Sequence, residues 1–73
     1  MARFQVLAEV AGVVREILAR PGDALQADDA VVLVECMKME IPIASPAAGT
    51  VLEVLVAPGE RVGEGQAVAL LEA

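Results

Sequence analysis

The 73-residue sequence predicts a single all-β domain built from two similar halves. Its apolar segments, such as 30–34 and 51–56, are rich in β-branched residues, which favour strands. The Pro21-Gly22 and Pro58-Gly59 pairs mark tight turns, because proline fixes φ and glycine accepts the positive φ of a type II turn. Together these features predict short antiparallel strands joined by turns.

An internal repeat supports this fold class. Residues 49–62 repeat residues 12–25 without a gap, at a shift of 49 − 12 = 37 positions, and Glu72 falls on Glu35. The apolar spacing in 13–19 alone suits a helix as well as a strand, but the second copy is rich in valine, which favours strands. Two halves of about four short strands each cannot bury a face alone. We therefore expect them to pack together as two sheets or a flattened barrel.

The predicted elements follow in order along the chain. The strands of the first half are 4–8, 12–19, 24–26 and 30–34, and a strand at 41–44 begins the second half. Pro42 is expected on an edge strand, where no ladder donor is lost. If a twofold axis relates the halves, position 36 corresponds to 36 + 37 = 73, and the C-terminus lies opposite the centre of the chain.

The composition excludes several classes of function. The formal charge of −6 and a single aromatic residue, Phe4, argue against nucleic acid, and the absence of histidine excludes histidine acid-base catalysis. No apolar run approaches the ~20 residues of a spanning helix, and no secretory signal is expected. A single cysteine forms no internal disulfide, which agrees with a cytoplasmic protein. We also expect the isolated protein to be a monomer. Asp28 and Asp29 are interpreted as turn residues rather than metal ligands.

The central segment 35–40, Glu-Cys-Met-Lys-Met-Glu, lies between two apolar strands and contains the only lysine, Lys38. We expect Met37 and Lys38 to be the central residues of a two-residue hairpin turn. The facing pairs are then Cys36 with Met39, Glu35 with Glu40, and Val34 with Ile41. Opposed glutamates repel each other, and such a turn prefers Asn-Gly or Asp-Gly. A segment that breaks local rules in this way indicates a functional site.

Met37-Lys38-Met39 between Glu35 and Glu40, centred in a duplicated all-β domain, resembles the biotinyl (biotin carboxyl carrier) domain of biotin-dependent carboxylases. The resemblance covers nearly the whole chain, including the 45–49 segment that leads into the second half. It implies a barrel-sandwich hybrid, which is two four-stranded antiparallel sheets with pseudo-twofold symmetry and the lysine on an exposed hairpin turn. Residues 1–73 resemble most the small stand-alone biotin/lipoyl carriers.

The resemblance implies that Lys38 carries covalent biotin, and that Glu35, Met37, Met39 and Glu40 are recognised by a biotin protein ligase and by the carboxylase. The domain would be a non-catalytic carrier that moves carboxybiotin between biotin carboxylase and carboxyltransferase sites, as in acetyl-CoA carboxylase of fatty acid metabolism. The acceptor stays open between acetyl-, propionyl- or methylcrotonyl-CoA, pyruvate and urea. Neither a catalytic residue nor a metal is expected.

The sequence departs from the family pattern at three places, and two other functions stay open. Cys36 stands where alanine or serine is common, Glu9 stands where proline is common, and no insertion corresponds to the thumb of some acetyl-CoA carboxylase carriers. A lipoyl carrier with lipoate on the same lysine is disfavoured by Met37 and Met39. An unmodified interaction module of the same fold predicts no adduct at all.

Overall fold

The computed structural model describes residues 2–73 as eight strands without a helix. The strands form two sheets of four, in the orders β1-β8-β6-β3 and β5-β4-β2-β7, and every pairing is antiparallel. The predicted all-β class with two four-stranded sheets is confirmed. The strands are β1 (Arg3–Leu7), β2 (Gly12–Ile17), β3 (Ala24–Leu25), β4 (Ala30–Cys36), β5 (Met39–Ala44), β6 (Gly49–Val54), β7 (Arg61–Val62) and β8 (Ala67–Glu72).

The two halves exchange their edge strands. A shift of 37 residues carries β1, β2, β3 and β4 onto β5, β6, β7 and β8. Each sheet therefore takes its two central strands from one half and its two edge strands from the other half. Neither half can complete a sheet by itself, so the halves depend on each other for their backbone hydrogen bonds as well as for their core.

The core lies between the sheets and is aliphatic. Its fully buried side chains come mainly from the four central strands, where alternate residues point inward. Phe4 is only partly buried at its margin. Burial of this apolar surface is the main stabilising contribution in a domain of this size. The largest fully buried side chains are Ile43, Leu71, Val6, Val14, Val31, Val32, Val34, Val51, Val68 and Ser45.

Four of the seven loops between strands share one recurring hydrogen bond. In each of these loops an Asp, Glu or Gln side-chain oxygen accepts a hydrogen bond from the backbone N–H three residues earlier, which stabilises the turn. Gly22 has φ 94° and Asp23 N donates to Arg20 O, as expected for the predicted turn. Asp29 takes part in such a loop, and the interpretation of Asp28 and Asp29 as turn residues is confirmed. The donor and acceptor residues are Arg20 and Asp23, Gln26 and Asp29, Ala57 and Glu60, and Gly63 and Gln66.

The boundaries of all five predicted strands differ from the observed ones by one or two residues. The strand predicted over 12–19 ends at Ile17, because the N–H groups of Leu18 and Ala19 both turn to Val31 O. β4 continues two residues beyond the predicted 30–34, to Cys36. The extension of β4 lengthens the ladder that leads to the central hairpin, whereas β2 is shorter than predicted. Residues 2–73 contain no helix long and apolar enough to cross a membrane.

Candidate functional site

The central segment forms the predicted two-residue hairpin. The pairing of β4 with β5 places Cys36 opposite Met39 and Glu35 opposite Glu40, and Val34 lies opposite Ile41 as expected. The two residues of the turn, 37 and 38, have positive φ values of 52° and 67°, which is the conformation of a type I′ turn. β5 is an edge strand, so the prediction that Pro42 lies on an edge is also confirmed.

The side chains of the turn are displayed to solvent. Met37 is 90% exposed and Met39 is 65% exposed, although methionine ordinarily fills gaps in a core. Lys38 is exposed, and its ammonium forms no ion pair within residues 2–73. Cys36 is a half-buried free thiol beneath the turn. The tip therefore presents two apolar, flexible side chains on either side of one primary amine.

The turn places two non-glycine residues in a backbone conformation that such residues disfavour. A non-glycine residue in the left-handed region costs about 1–2 kcal/mol, and Met37 and Lys38 both adopt it. Among residues 2–73 the other non-glycine residue with positive φ is Asp28, a residue type that tolerates this conformation. The ladder below the turn must supply the interactions that keep the strained tip in place.

Glu35 at the base of the hairpin lies opposite Glu40 and forms an ion pair with Arg15. The distance from Arg15 Nε to Glu35 Oε1 is 3.0 Å. The guanidinium reaches this carboxylate from β2, where the pairing with β4 has a bulge between Val14 and Glu16. This contact was not predicted from the sequence. One available signal was that the repeat places a leucine, Leu52, at the position of Arg15.

The other end of the molecule carries the equivalent positions with a different charge pattern. Glu72 is the counterpart of Glu35, and Arg3 is the counterpart of Glu40. Arg3 and Glu72 lie directly opposite each other, with Arg3 Nε 3.5 Å from Glu72 Oε2. Opposite charges therefore face each other at this end, whereas two carboxylates face each other at the hairpin base.

The hairpin and the ends of the described chain lie at opposite ends of the domain. β2 begins at Gly12, which lies so close to the hairpin base that an added Cβ would overlap the backbone oxygen of Glu35. Because β1 joins β2 through residues 8–11 alone, the C-terminal end of β1 lies on the hairpin side and its start lies on the far side. There Ala73 N donates to Ala2 O at 2.8 Å. The predicted placement of the C-terminus is confirmed, in a molecule of 37 × 17 × 16 Å.

The five predicted site residues are thus brought together at one end. A family model described as "Biotin-requiring enzyme", for the biotin/lipoyl family, matches residues 6–71. The chain belongs to this family. The biotin/lipoyl domain spans the hairpin and both sheets, and the predicted resemblance to biotinyl domains is confirmed.

Curated relatives of this biotin/lipoyl domain include the "Biotinylated protein TB7.3" of Mycobacterium tuberculosis and of Mycobacterium bovis. Each is 47% identical over 38 residues, which is 52% of this chain and 54% of the relative. The match thus spans about half the length of these relatives.

Solved structures show the same fold within much larger chains. A single-chain, multi-domain long-chain acyl-CoA carboxylase superimposes with a TM-score of 0.87 at 35% identity, over 94% of this chain and 7% of that chain. The urea carboxylase of Kluyveromyces lactis superimposes with a TM-score of 0.92 at 28% identity, over 99% of this chain and 6% of that chain. The biotin/lipoyl domain is therefore similar to a small part of each carboxylase.

A third structure shares the fold alone. It is a putative succinylglutamate desuccinylase/aspartoacylase family protein from Shewanella amazonensis, with a TM-score of 0.80 at 19% identity over 94% of this chain and 20% of that chain. At this identity the likeness extends to the arrangement of strands and not to the chemistry of the site.

Proposed function

We propose that Lys38 is the site of covalent biotin attachment and that residues 1–73 form a biotin carboxyl carrier domain. The observation that carries the proposal is the exposed Lys38 at the tip of a two-residue turn, on the end of the molecule remote from the chain ends. Membership of the biotin/lipoyl family and the likeness to parts of two carboxylases support it.

The attachment reaction needs little from the domain except access. A biotin protein ligase would present biotin as an acyl-adenylate, and the Lys38 nitrogen would attack its carbonyl carbon. The new C–N bond replaces the C–O bond to AMP, which leaves, and the former ammonium group releases two protons in becoming an amide. The exposed amine on a narrow tip can enter a ligase pocket without rearrangement of the two sheets, which avoids an ordering cost on binding.

The carrier role follows from the same geometry. A biotinylated Lys38 would take carboxybiotin from a biotin carboxylase site to a carboxyltransferase site, while the domain itself makes and breaks no bond. We assign the recognition of ligase and carboxylase subunits to Glu35, Met37, Met39 and Glu40. The exposed methionines suit this role, because their flexible thioethers adapt to more than one apolar surface.

We further propose a cytoplasmic carboxylase with an acyl-CoA acceptor, the acetyl-CoA carboxylase of fatty acid metabolism being one example. The support for an acyl-CoA is the higher identity to the long-chain acyl-CoA carboxylase, 35%, than to the urea carboxylase, 28%. In the proposed cycle ATP and bicarbonate are consumed at the carboxylase subunit. The carrier therefore needs no nucleotide site of its own.

Intact mass spectrometry of the purified protein, after incubation with a biotin protein ligase, biotin and ATP, tests the attachment. The wild type is expected to gain one biotinyl group and to bind streptavidin, and Lys38→Arg is expected to gain none. Because Lys38 is the only lysine, the variant removes the sole side-chain amine and keeps the charge at the tip. An unmodified wild type, or an adduct that persists in Lys38→Arg, would refute the proposal.

The same measurement on protein from its native host separates the rival functions. A lipoyl group and a biotinyl group have different masses, so the lipoyl carrier would be recognised directly. A chain that carries no adduct in its host, and whose Lys38→Arg variant retains full function, would be an unmodified interaction module.

A further inference from the structure

The charges at the base of the hairpin are balanced by a residue outside it. Glu35 and Glu40 face each other across the ladder, and Lys38 is the one cation between them in the sequence. Arg15, from the neighbouring strand, brings the second positive charge to within 3.0 Å of Glu35. The hairpin base and tip thus hold two carboxylates and two cations while the lysine is unmodified, and of the two cations Arg15 forms the ion pair.

Biotin attachment would upset this balance. The amide formed at Lys38 is neutral, so the hairpin loses its own positive charge while Glu35 and Glu40 stay opposed. Arg15 is then the cation that still contacts Glu35. Arg61 lies one strand further away, opposite Val13 on β2, and forms no ion pair within residues 2–73.

We propose that Arg15 is a positioning residue that fixes Glu35 and keeps the strained turn presented, and that its importance increases when Lys38 is acylated. The inference deepens the proposed function and rests on it. Glu35 would otherwise be repelled by Glu40 and free to rotate, and the ligase would have to order it on binding. The effect acts through the ion pair and not through contact of Arg15 with biotin.

The repeat supplies a substitution that the fold accepts. Leu52 occupies the position of Arg15 in the second half, next to the same type of bulge, here between Val51 and Glu53. Arg15→Leu therefore removes the guanidinium and keeps a side chain that this site accommodates. The matched control is Arg3→Leu, which breaks the equivalent ion pair of Glu72 at the far end.

Ligase kinetics give the first test. Arg15→Leu is expected to lower kcat/KM for biotinylation about threefold, mainly through a higher KM, because a partly exposed ion pair of this kind has a modest effect. Arg3→Leu is expected to match the wild type, and Arg15→Lys to restore part of the loss. The fold-loss in kcat/KM caused by Arg15→Leu is expected to be smaller when it is measured against Glu40→Gln than against the wild type, because Glu40→Gln removes the charge that repels Glu35. This comparison does not depend on the effect of Glu40→Gln alone.

Hydrogen exchange at the backbone amides of residues 36–41 gives the second test, independent of any ligase. Arg15→Leu is expected to speed exchange of these amides about threefold and to leave the rest of the domain unchanged. In Lys38→Gln, a neutral stand-in for the amide, the acceleration is expected to be larger. Arg3→Leu is expected to leave these amides unchanged.

The two proposals fail in different ways. If the wild type is biotinylated and Arg15→Leu matches it in kcat/KM and in hairpin exchange, Arg15 has no positioning role and the carrier function stands. An equal acceleration of exchange with lysine or glutamine at position 38 would refute the coupling to acylation. If the wild type itself takes no biotin, the carrier function fails, and the exchange experiment still decides whether Arg15 holds the turn.

Discussion

Asp28 and Gly65 occupy the same turn position in the two halves, and both have positive φ, of 75° and 85°. Their N–H groups make equivalent hydrogen bonds of 2.8 Å, to Ser45 O and Ala8 O respectively. The turn thus requires the left-handed region whichever residue stands there. Glycine meets this requirement without steric cost, and aspartate is one of the few other residues that tolerate it.

Gly65→Ala is expected to lower the free energy of unfolding by about 1–2 kcal/mol, because alanine pays the steric cost of the left-handed region. Gly65→Asp is expected to cost less than Gly65→Ala, since Asp28 already serves at this position. Urea unfolding followed by far-UV circular dichroism measures both. Gly63→Ala is the control, because a Cβ there meets nothing within 4 Å and φ is not positive. Equal losses for Gly65→Ala and Gly63→Ala would contradict the explanation.

Gly12→Ala is expected to destabilise the domain by about 2 kcal/mol or more, as in overpacked sites. An added Cβ would overlap Glu35 O and would lie 2.8 Å from Val34 Cγ1, both in the neighbouring strand. At the equivalent Gly49 the nearest atom, Glu72 O, is 3.0 Å away, so Gly49→Ala is expected to cost less. Thermal unfolding of the two variants provides the comparison, and a larger loss at Gly49 would overturn it.

Ile43→Val is expected to cost about 0.5–1.5 kcal/mol, the usual effect of deleting one buried methylene. Ile43 is fully buried, and its counterpart Val6 is only 1% exposed. The reverse change, Val6→Ile, is expected to destabilise as well, because it adds volume to a filled site. Denaturant midpoints of both variants measure this. A gain in stability from Val6→Ile would instead reveal unfilled space beside β1.

Met37→Asn is expected to raise the free energy of unfolding by about 0.5–1 kcal/mol, because asparagine tolerates the first position of a type I′ turn better than methionine. The same variant is expected to be biotinylated more slowly, since it removes a side chain that is 90% exposed and assigned here to recognition. Such a trade between stability and activity is common at functional sites. Unchanged ligase kinetics would remove Met37 from the recognition surface.

Much of the hairpin could be predicted from the sequence, because a two-residue turn at Met37 and Lys38 fixes the facing pairs down to Val32 and Ile43, where the register shifts. The repeat likewise predicted two equivalent halves. It did not predict the exchange of edge strands, since a repeat shows which residues are equivalent and not which strands pair. The Arg15–Glu35 contact was missed for a related reason. It depends on the local geometry of a bulge after Val14, which no residue type in the sequence marks.

The hydrogen bond between Ala73 and Ala2 extends the ladder of β1 and β8 to the far end of the domain, so a polypeptide could enter and leave the domain at one point. A domain whose ends are adjacent can be inserted into a loop of a larger enzyme without separating the two sides of that loop, or fused to a neighbouring domain through either terminus. In both arrangements the linker would be attached at the end of the domain opposite Lys38. The lysine would then sweep an arc whose radius is set by the linker and by the 37 Å length of the domain.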